Sequence, residues 1–255
     1  MSFAPLISAL AIPKEALVEQ RVPKKLLLEQ GAPTAADKRQ IQDGIEEITW
    51  VAALKPINIG VPAFRDEVRE YLEIAVLTAA LRASAKPPRL IELIHRAIPY
   101  PLVLVTEHGD AVTLSLAHKR WSQGEAGKVV IEDVRQIRLN VAEEDFFGSL
   151  AISRLPRQNL YTLYQGWIDR EVALEAARIT GVFEIPHLED HASGMRDGLT
   201  EHARLTRDIT LLRAQASKEK QINRRVNLNI EIKTLEAKLA CVTHSLSTGL
   251  ANESH

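Results

Sequence analysis

Two apolar seams near the C-terminus constrain this chain more than any other feature, because they fall out of phase. Leu205, Ile209, Leu212 and Ala216 step by four, three and four residues. Leu228, Ile232, Leu235, Leu239, Val242 and Leu246 continue the same alternation of fours and threes. Such spacing is a coiled-coil seam, a stripe that has to be buried against another helix. Leu212 and Leu228 stand sixteen residues apart. At roughly 100° per residue the two stripes lie about 160° apart on a straight helix. Either the helix turns back between them, or one helix serves two different partners. No Gly or Pro occurs in 217–227, so local propensity favours one continuous helix over 196–246, with a hairpin as the alternative. With Leu228 at a d position, Glu231 falls at g and Glu236 at e, and in a parallel homodimer these would face each other as like charges. The second seam therefore favours an antiparallel or heterotypic contact.

Between the seams lies KEKQINRRVNLN, residues 218–229. Lys218, Lys220, Arg224 and Arg225 make a basic patch, and Gln221, Asn223, Asn227 and Asn229 add amides. Two readings stand side by side. Polar residues at a helix–helix contact set register and partner at a cost in stability. Cations in such a cluster also contact phosphates, sensitively to salt and without regard to sequence. Charge distribution bears on the choice. The whole chain carries −1, yet 201–240 holds nine Lys/Arg against five Asp/Glu, leaving −5 for the rest. That asymmetry points to an anionic partner for the C-terminal part. A second basic stretch, HKRW at 118–121, offers Lys119, Arg120 and Trp121 as phosphate contacts with a stacked base. Its structural alternative is a strand end with Trp121 on the core and the cations in solvent.

Upstream, four prolines in the first 35 residues imply short helices and extended segments. Thr34 is a helix N-cap candidate, and Ile41, Ile45 and Ile48 recur at helical spacing, which predicts a helix over 35–53 stopped by Pro56. INIGVPAF is a short strand candidate, and a further strand is expected near 68–78. KPPRLIELIHRAI is a helix with prolines in its first turn. YPLVLVTEHGDAVTLSLAHKRW is a hairpin turning at Gly109-Asp110, and KVVIEDVRQIRLN adds a strand. A short helix ends at Pro156. A longer one carries Leu160, Leu163, Tyr164, Trp167, Ile168, Val172 and Leu174 and stops at Gly181. The expected class is α+β, with a small sheet covered on one face and a long C-terminal helix. The expected organisation is an α+β domain (1–145), a helical extension (146–182), a linker (183–195), the long helix (196–246) and a disordered tail (247–255).

The usual signatures of chemistry are absent. Cys241 is the single cysteine, which leaves no disulfide framework and no cysteine zinc site. There is no Walker loop and no dinucleotide fingerprint. His187 and His191 stand four apart without a HExxH pattern. A restriction-type nuclease needs strand acids with a neighbouring lysine; Glu107 and Asp110 flank the hairpin, but no E-x-K or D-x-K accompanies them. No catalytic residue, metal site or cofactor is assigned. No signal peptide or spanning segment is read, so a cytoplasmic protein is expected.

Three stretches together resemble a bacterial family known as domain of unknown function forty-three ninety-one. They are RVPKK (21–25) with IEEITWVAALKPINI (45–59), IHRAIPYPLVLV (94–105), and KEKQINRRVNLNIEIKTLEAKL (218–239). Asn227 departs from the family pattern, which has an acidic residue there, and makes this copy more basic. The resemblance implies a small cytoplasmic component encoded beside helicases and DNA methyltransferases of restriction-like or phage-defence systems. It brings no catalytic residues. The expectation is a non-enzymatic accessory subunit, docking through its C-terminal helix on itself as a homo-oligomer or on a helicase-like or methyltransferase partner. A DNA-binding module using 218–225 is the first alternative, and a divergent metal-dependent nuclease the second.

Overall fold

The computed structural model describes residues 2–122, 124, 129–140, 142–186 and 189–248. The elements, in chain order, are α1 (Ala4–Ala9), β1 (Leu17–Arg21), α2 (Lys24–Gln30), α3 (Ala35–Gly44), β2 (Ile45–Leu54), α4 (Pro56–Ile59), β3 (Phe64–Arg65), β4 (Glu70–Tyr71), β5 (Ile74–Leu81) and α5 (Pro87–Ala97). They continue with β6 (Leu102–His108), β7 (Ala111–Leu116), β8 (Lys119–Trp121), β9 (Val129–Ile131), β10 (Arg135–Leu139), α6 (Glu144–Ser149), α7 (Leu160–Thr180), α8 (Glu189–Lys218) and α9 (Ile222–Thr248). The chain divides into two compact units, Met1–Ile168 and Asp169–His255, with the boundary inside α7. The expected linker lies elsewhere: its residues 189–195 already form the start of α8, and His187 and Leu188 fall outside the described residues. So does the expected tail from residue 249 onward.

The first unit is α+β, as expected. Its six-stranded sheet runs β1-β2-β5-β6-β7-β10. Only β5 and β6 are parallel, joined through α5 as a crossover, because a parallel pair needs a long connection. β6 and β7 form the expected hairpin, with Gly109 at φ 58° in the turn, a conformation glycine takes without strain.

The sheet is covered on both faces, not one. Along β5 the residues of both parities, Ile74, Ala75, Val76 and Leu77, are fully buried. β6 repeats this with Leu102, Val103, Leu104 and Val105. One face packs Ala75, Leu77, Leu102 and Leu104 with α2, α3 and α5 side chains in a single core cluster. The other face is tied to α7 by Tyr164, whose hydroxyl donates to the Leu102 carbonyl at 2.7 Å and accepts from the Ala117 amide at 2.8 Å. An uninterrupted apolar run such as IAVLTAAL is what a strand buried on both sides requires.

Three local expectations change. The predicted helix over 35–53 ends at Gly44 and continues as strand β2. Ile41, Ile45 and Ile48 nevertheless share one core, so the spacing marks their burial correctly but not their secondary structure. The β-branched and aromatic run Ile48-Thr49-Trp50 pairs with β5, and that pairing overrides the helical spacing. INIGVPAF opens as the short helix α4, closed by Gly60 in the left-handed region. KVVIEDVRQIRLN supplies two strands, β9 and β10, rather than one.

In the second unit the predicted single helix is broken at 219–221, and α8 and α9 fold back as a hairpin. The reason is the phase jump. Leu205, Ile209 and Ala216 of the first seam are buried. Ile209 and Ala216 form one cluster with Ile232, against which Leu212, Leu228, Leu235 and Leu239 pack. A straight helix would leave one stripe in water; the turn buries each against the other, antiparallel as the flanking glutamates favoured. Gly198 marks the close approach at the far end, where an added Cβ would stand 2.9 Å from Leu246 Cδ2. The Arg213 guanidinium donates to Glu236 across the pair at 2.7 Å.

Candidate nucleic-acid interface

KEKQINRRVNLN is the tip of this hairpin. Lys218 ends α8, Glu219, Lys220 and Gln221 make the turn, and α9 begins at Ile222. The turn is held locally. Glu219 N–H donates to the Gln215 carbonyl at 3.1 Å, and Gln221 N–H donates to the Glu219 carboxylate at 2.8 Å. Arg225 N–H reaches the Gln221 carbonyl at 3.0 Å. A carboxylate receiving an amide at a helix start does the work of an N-cap, and Glu219 is the local turn signal that Gly and Pro did not supply.

All eight residues singled out from the sequence, Lys218, Lys220, Gln221, Asn223, Arg224, Arg225, Asn227 and Asn229, are exposed on this tip. The reading of the amides as buried register-setters therefore does not hold inside the hairpin. Among the described residues, Lys218, Lys220, Arg224 and Arg225 have no ion pair. Three arginines of the stalk are paired instead. Arg204 is held by Glu201 and Asp208, Arg213 by Glu236, and Arg196 by Asp169. Arg224 and Arg225 lie in the first turn of α9, where the helix dipole is itself positive and the first turn carries no acid. Cations there are unfavourable within the chain and add to a field that attracts anions.

HKRW is placed quite differently. Lys119 is buried, and its ammonium donates to the carbonyls of His95, at 2.8 Å, and of Ile98. Those carbonyls end α5, which stops in extended backbone at Ile98 without a glycine cap, so the lysine satisfies the orphan acceptors. Burial pushes the Lys119 amine down to about 7. Lys119 therefore has no surface to offer a phosphate. Arg120 stands 3.9 Å from Glu132, and the Trp121 amide donates to Val68 at 2.8 Å. Lys24 mirrors Lys119 at the end of α3, donating to Gln42, at 3.1 Å, and to Ile45.

The interior also holds polar groups that the sequence did not reveal. His118 receives the Tyr71 hydroxyl on Nδ1 at 2.5 Å and meets Gln165 Oε1 through Nε2 at 2.7 Å. An amide oxygen only accepts, so Nε2 carries the proton. Tyr71, Tyr161 and Tyr164 pack around this imidazole, Phe64 packs on Tyr71 and Tyr161, and Arg69 lies 5.2 Å from the centre of the Tyr161 ring. His95 is fully buried with Nε2 3.0 Å from Ser115 Oγ, and among the described residues Nδ1 has no partner. Desolvation holds its pKa well below the usual histidine value. Glu107 is half-buried in β6 and Asp110 exposed at the β6–β7 turn. Among the described residues, no three His, Cys, Asp or Glu gather as metal ligands. No helix among them is long and apolar enough to cross a membrane.

The sequence model of one family, Domain of unknown function (DUF4391), matches residues 10–239. The chain belongs to this family. The match covers both units, from the turn before β1 to the second seam in α9. No curated protein and no solved structure matches the chain.

Proposed function

We propose that this member of the family is a non-catalytic accessory subunit of a DNA-acting assembly. The α8–α9 hairpin is its working arm, and the arm's tip contacts the phosphate backbone. One observation carries the reading: four exposed cations without ion pairs cluster at the hairpin tip, while the arginines of the stalk named above are neutralised by neighbours. The family resemblance to components encoded beside helicases and DNA methyltransferases supports the setting. The seams, first expected to dock the chain on itself or on a partner, pack on each other within the hairpin, and the basic patch 218–225, offered from the sequence for phosphate contact, is the exposed tip. Such contacts position a protein on a duplex and do not read its sequence.

Fluorescence anisotropy with a labelled 25-bp duplex, titrated between 50 and 300 mM salt, tests this. Each neutralised phosphate contributes about −0.9 to the slope of log K against log salt, so four contacts give roughly −3 to −4. Replacing Lys218, Lys220, Arg224 and Arg225 by Ala flattens the slope by about that amount, equally for unrelated sequences. Undetectable binding at 50 mM salt, or an unchanged slope in the fourfold variant, would falsify the proposal.

A further inference from the structure

The helix α9 carries a second stripe that its seam does not use. Ile222, Val226, Ile230, Thr234, Ala237 and Cys241 fall within an arc of about 120° on the side opposite the seam. Ile222 is 68% exposed, Val226 49% and Ile230 59%. A helix with one buried seam is normally charged on its other side. Here the outer side carries Ile222, Val226, Ile230, Ala237 and Cys241 over about 28 Å, five helical turns, with Asn223, Lys233 and Thr234 as the polar residues in the same arc. Towards the C-terminal half it forms an open groove with Ile230, Ala237, Cys241 and Val242 along its floor.

The charges of the groove identify its occupant. Lys233 and Lys238 line it on either side of the stripe. Among the described residues, neither has an ion pair. Glu201 also lines the groove, but Arg204 grips both its oxygens, at 2.6 and 2.7 Å. Arg204 is shared with Asp208, and Glu201 also feels Lys238, so the charged lining of the groove, Glu201, Lys233 and Lys238, sums to +1 with a lysine on each side of the stripe. A second copy laid on the same face would set lysines against lysines. A nucleic acid would meet an apolar floor. A helix with an apolar stripe bordered by carboxylates matches both floor and edges, the helix-in-groove mode of recognition.

We propose that the outer face of α9 docks an acidic amphipathic helix of a protein partner. The partner's apolar stripe packs on Ile230, Ala237 and Cys241, and its carboxylates pair with Lys233 and Lys238. This rests on the accessory-subunit reading but not on the phosphate contacts at the tip.

The test uses the full chain without nucleic acid and a labelled 21-residue peptide of three heptads, with Leu at a and d and Glu at e and g. A twin peptide carries Lys in place of every Glu. The Glu peptide is expected to bind at least about tenfold tighter than its twin. Ile230→Glu abolishes binding, and the double reversal Lys233→Glu/Lys238→Glu, confined to exposed edges, inverts the preference. The bound Glu peptide also slows alkylation of Cys241, the chain's single thiol. The fourfold Ala variant of the tip keeps peptide binding, which separates this proposal from the previous one. Absence of binding by either peptide, equal binding by both, or an order that survives the charge reversal overturns it. Sedimentation showing a dimer that Ile230→Glu dissolves would assign the face to a second copy and overturn it as well.

Discussion

At the residue scale, Lys119 shows how this fold closes its helices. Neither α3 nor α5 ends in a left-handed glycine, and each lends its last carbonyls to a lysine from another element. For Lys119 the ammonium is buried, and its folded pKa of about 7 lies below the usual 10.5 of a free lysine. Between those values the unfolded chain binds more protons than the folded one, so stability rises with pH across that window. The gain is complete above 10.5 and is lost as pH falls through 7. Urea melts at pH 6 and pH 9 check this against Lys119→Met. The parent chain gains on the order of a few kcal/mol between the two pH values. The Met variant stays flat from this cause and at pH 9 is less stable by about 1–3 kcal/mol, since it leaves two helix-end carbonyls without a donor. A parallel slope in both proteins would remove Lys119 from the account. Nothing in HKRW announced this role. A lysine next to an arginine reads as a surface pair, and only the end of α5, some twenty residues upstream in sequence, explains why one of them is inside.

At the element scale, the sequence was most legible where one element meets one partner. The helix α5, the β6–β7 hairpin and α7 match their patterns, because each shows a single periodicity bounded by Pro or Gly. Legibility failed where the periodicity runs through a change of element, as at Ile41-Ile45-Ile48, or where the break carries no Gly or Pro, as at 219–221. For the α8–α9 hairpin the decisive signal was global. Two stripes about 160° apart cannot both be buried by one straight partner, whereas local propensity in 217–227 favours helix throughout. The tip residues themselves were named from sequence, but their exposure followed only from the turn. If the seams hold the hairpin, truncation inside and outside them has opposite weight. Leu205 is fully buried and Leu211, on the same helix, is 56% exposed. Leu205→Ala is expected to cost roughly 2–4 kcal/mol in chemical denaturation, and Leu211→Ala to stay within about 0.5 kcal/mol. Equal costs would mean that the two seams are not each other's cover.

At the scale of the whole molecule, the division at Ile168 and Asp169 cuts through α7, and no linker-like composition marks it. The Pro- and Gly-containing stretch 183–195 looked like the boundary because loops are read from such residues. The contacts show instead that the first turns of α7 belong to the sheet domain. Tyr164 and Trp167 are among the largest fully buried side chains. Tyr164 bonds both Leu102 and Ala117, and the Trp167 indole donates to the Leu150 carbonyl at 3.0 Å. The seams of α8 and α9 form a separate cluster of their own. A chain ending at Val182 therefore keeps the whole polar anchoring of α7 on the sheet and is expected to fold cooperatively. A chain ending at Asn159 loses both aromatics and uncovers the apolar sheet face beneath them, which leaves it unfolded or aggregated. Near-UV circular dichroism and urea unfolding distinguish these outcomes, since Trp167 reports packing only when α7 is seated. If the longer fragment also fails, the sheet domain draws its stability from residues beyond Val182, and a lost phosphate or peptide interaction in hairpin deletions would no longer report on the arm alone. If it folds, it is the control in which both interactions must vanish while the six-stranded sheet remains intact.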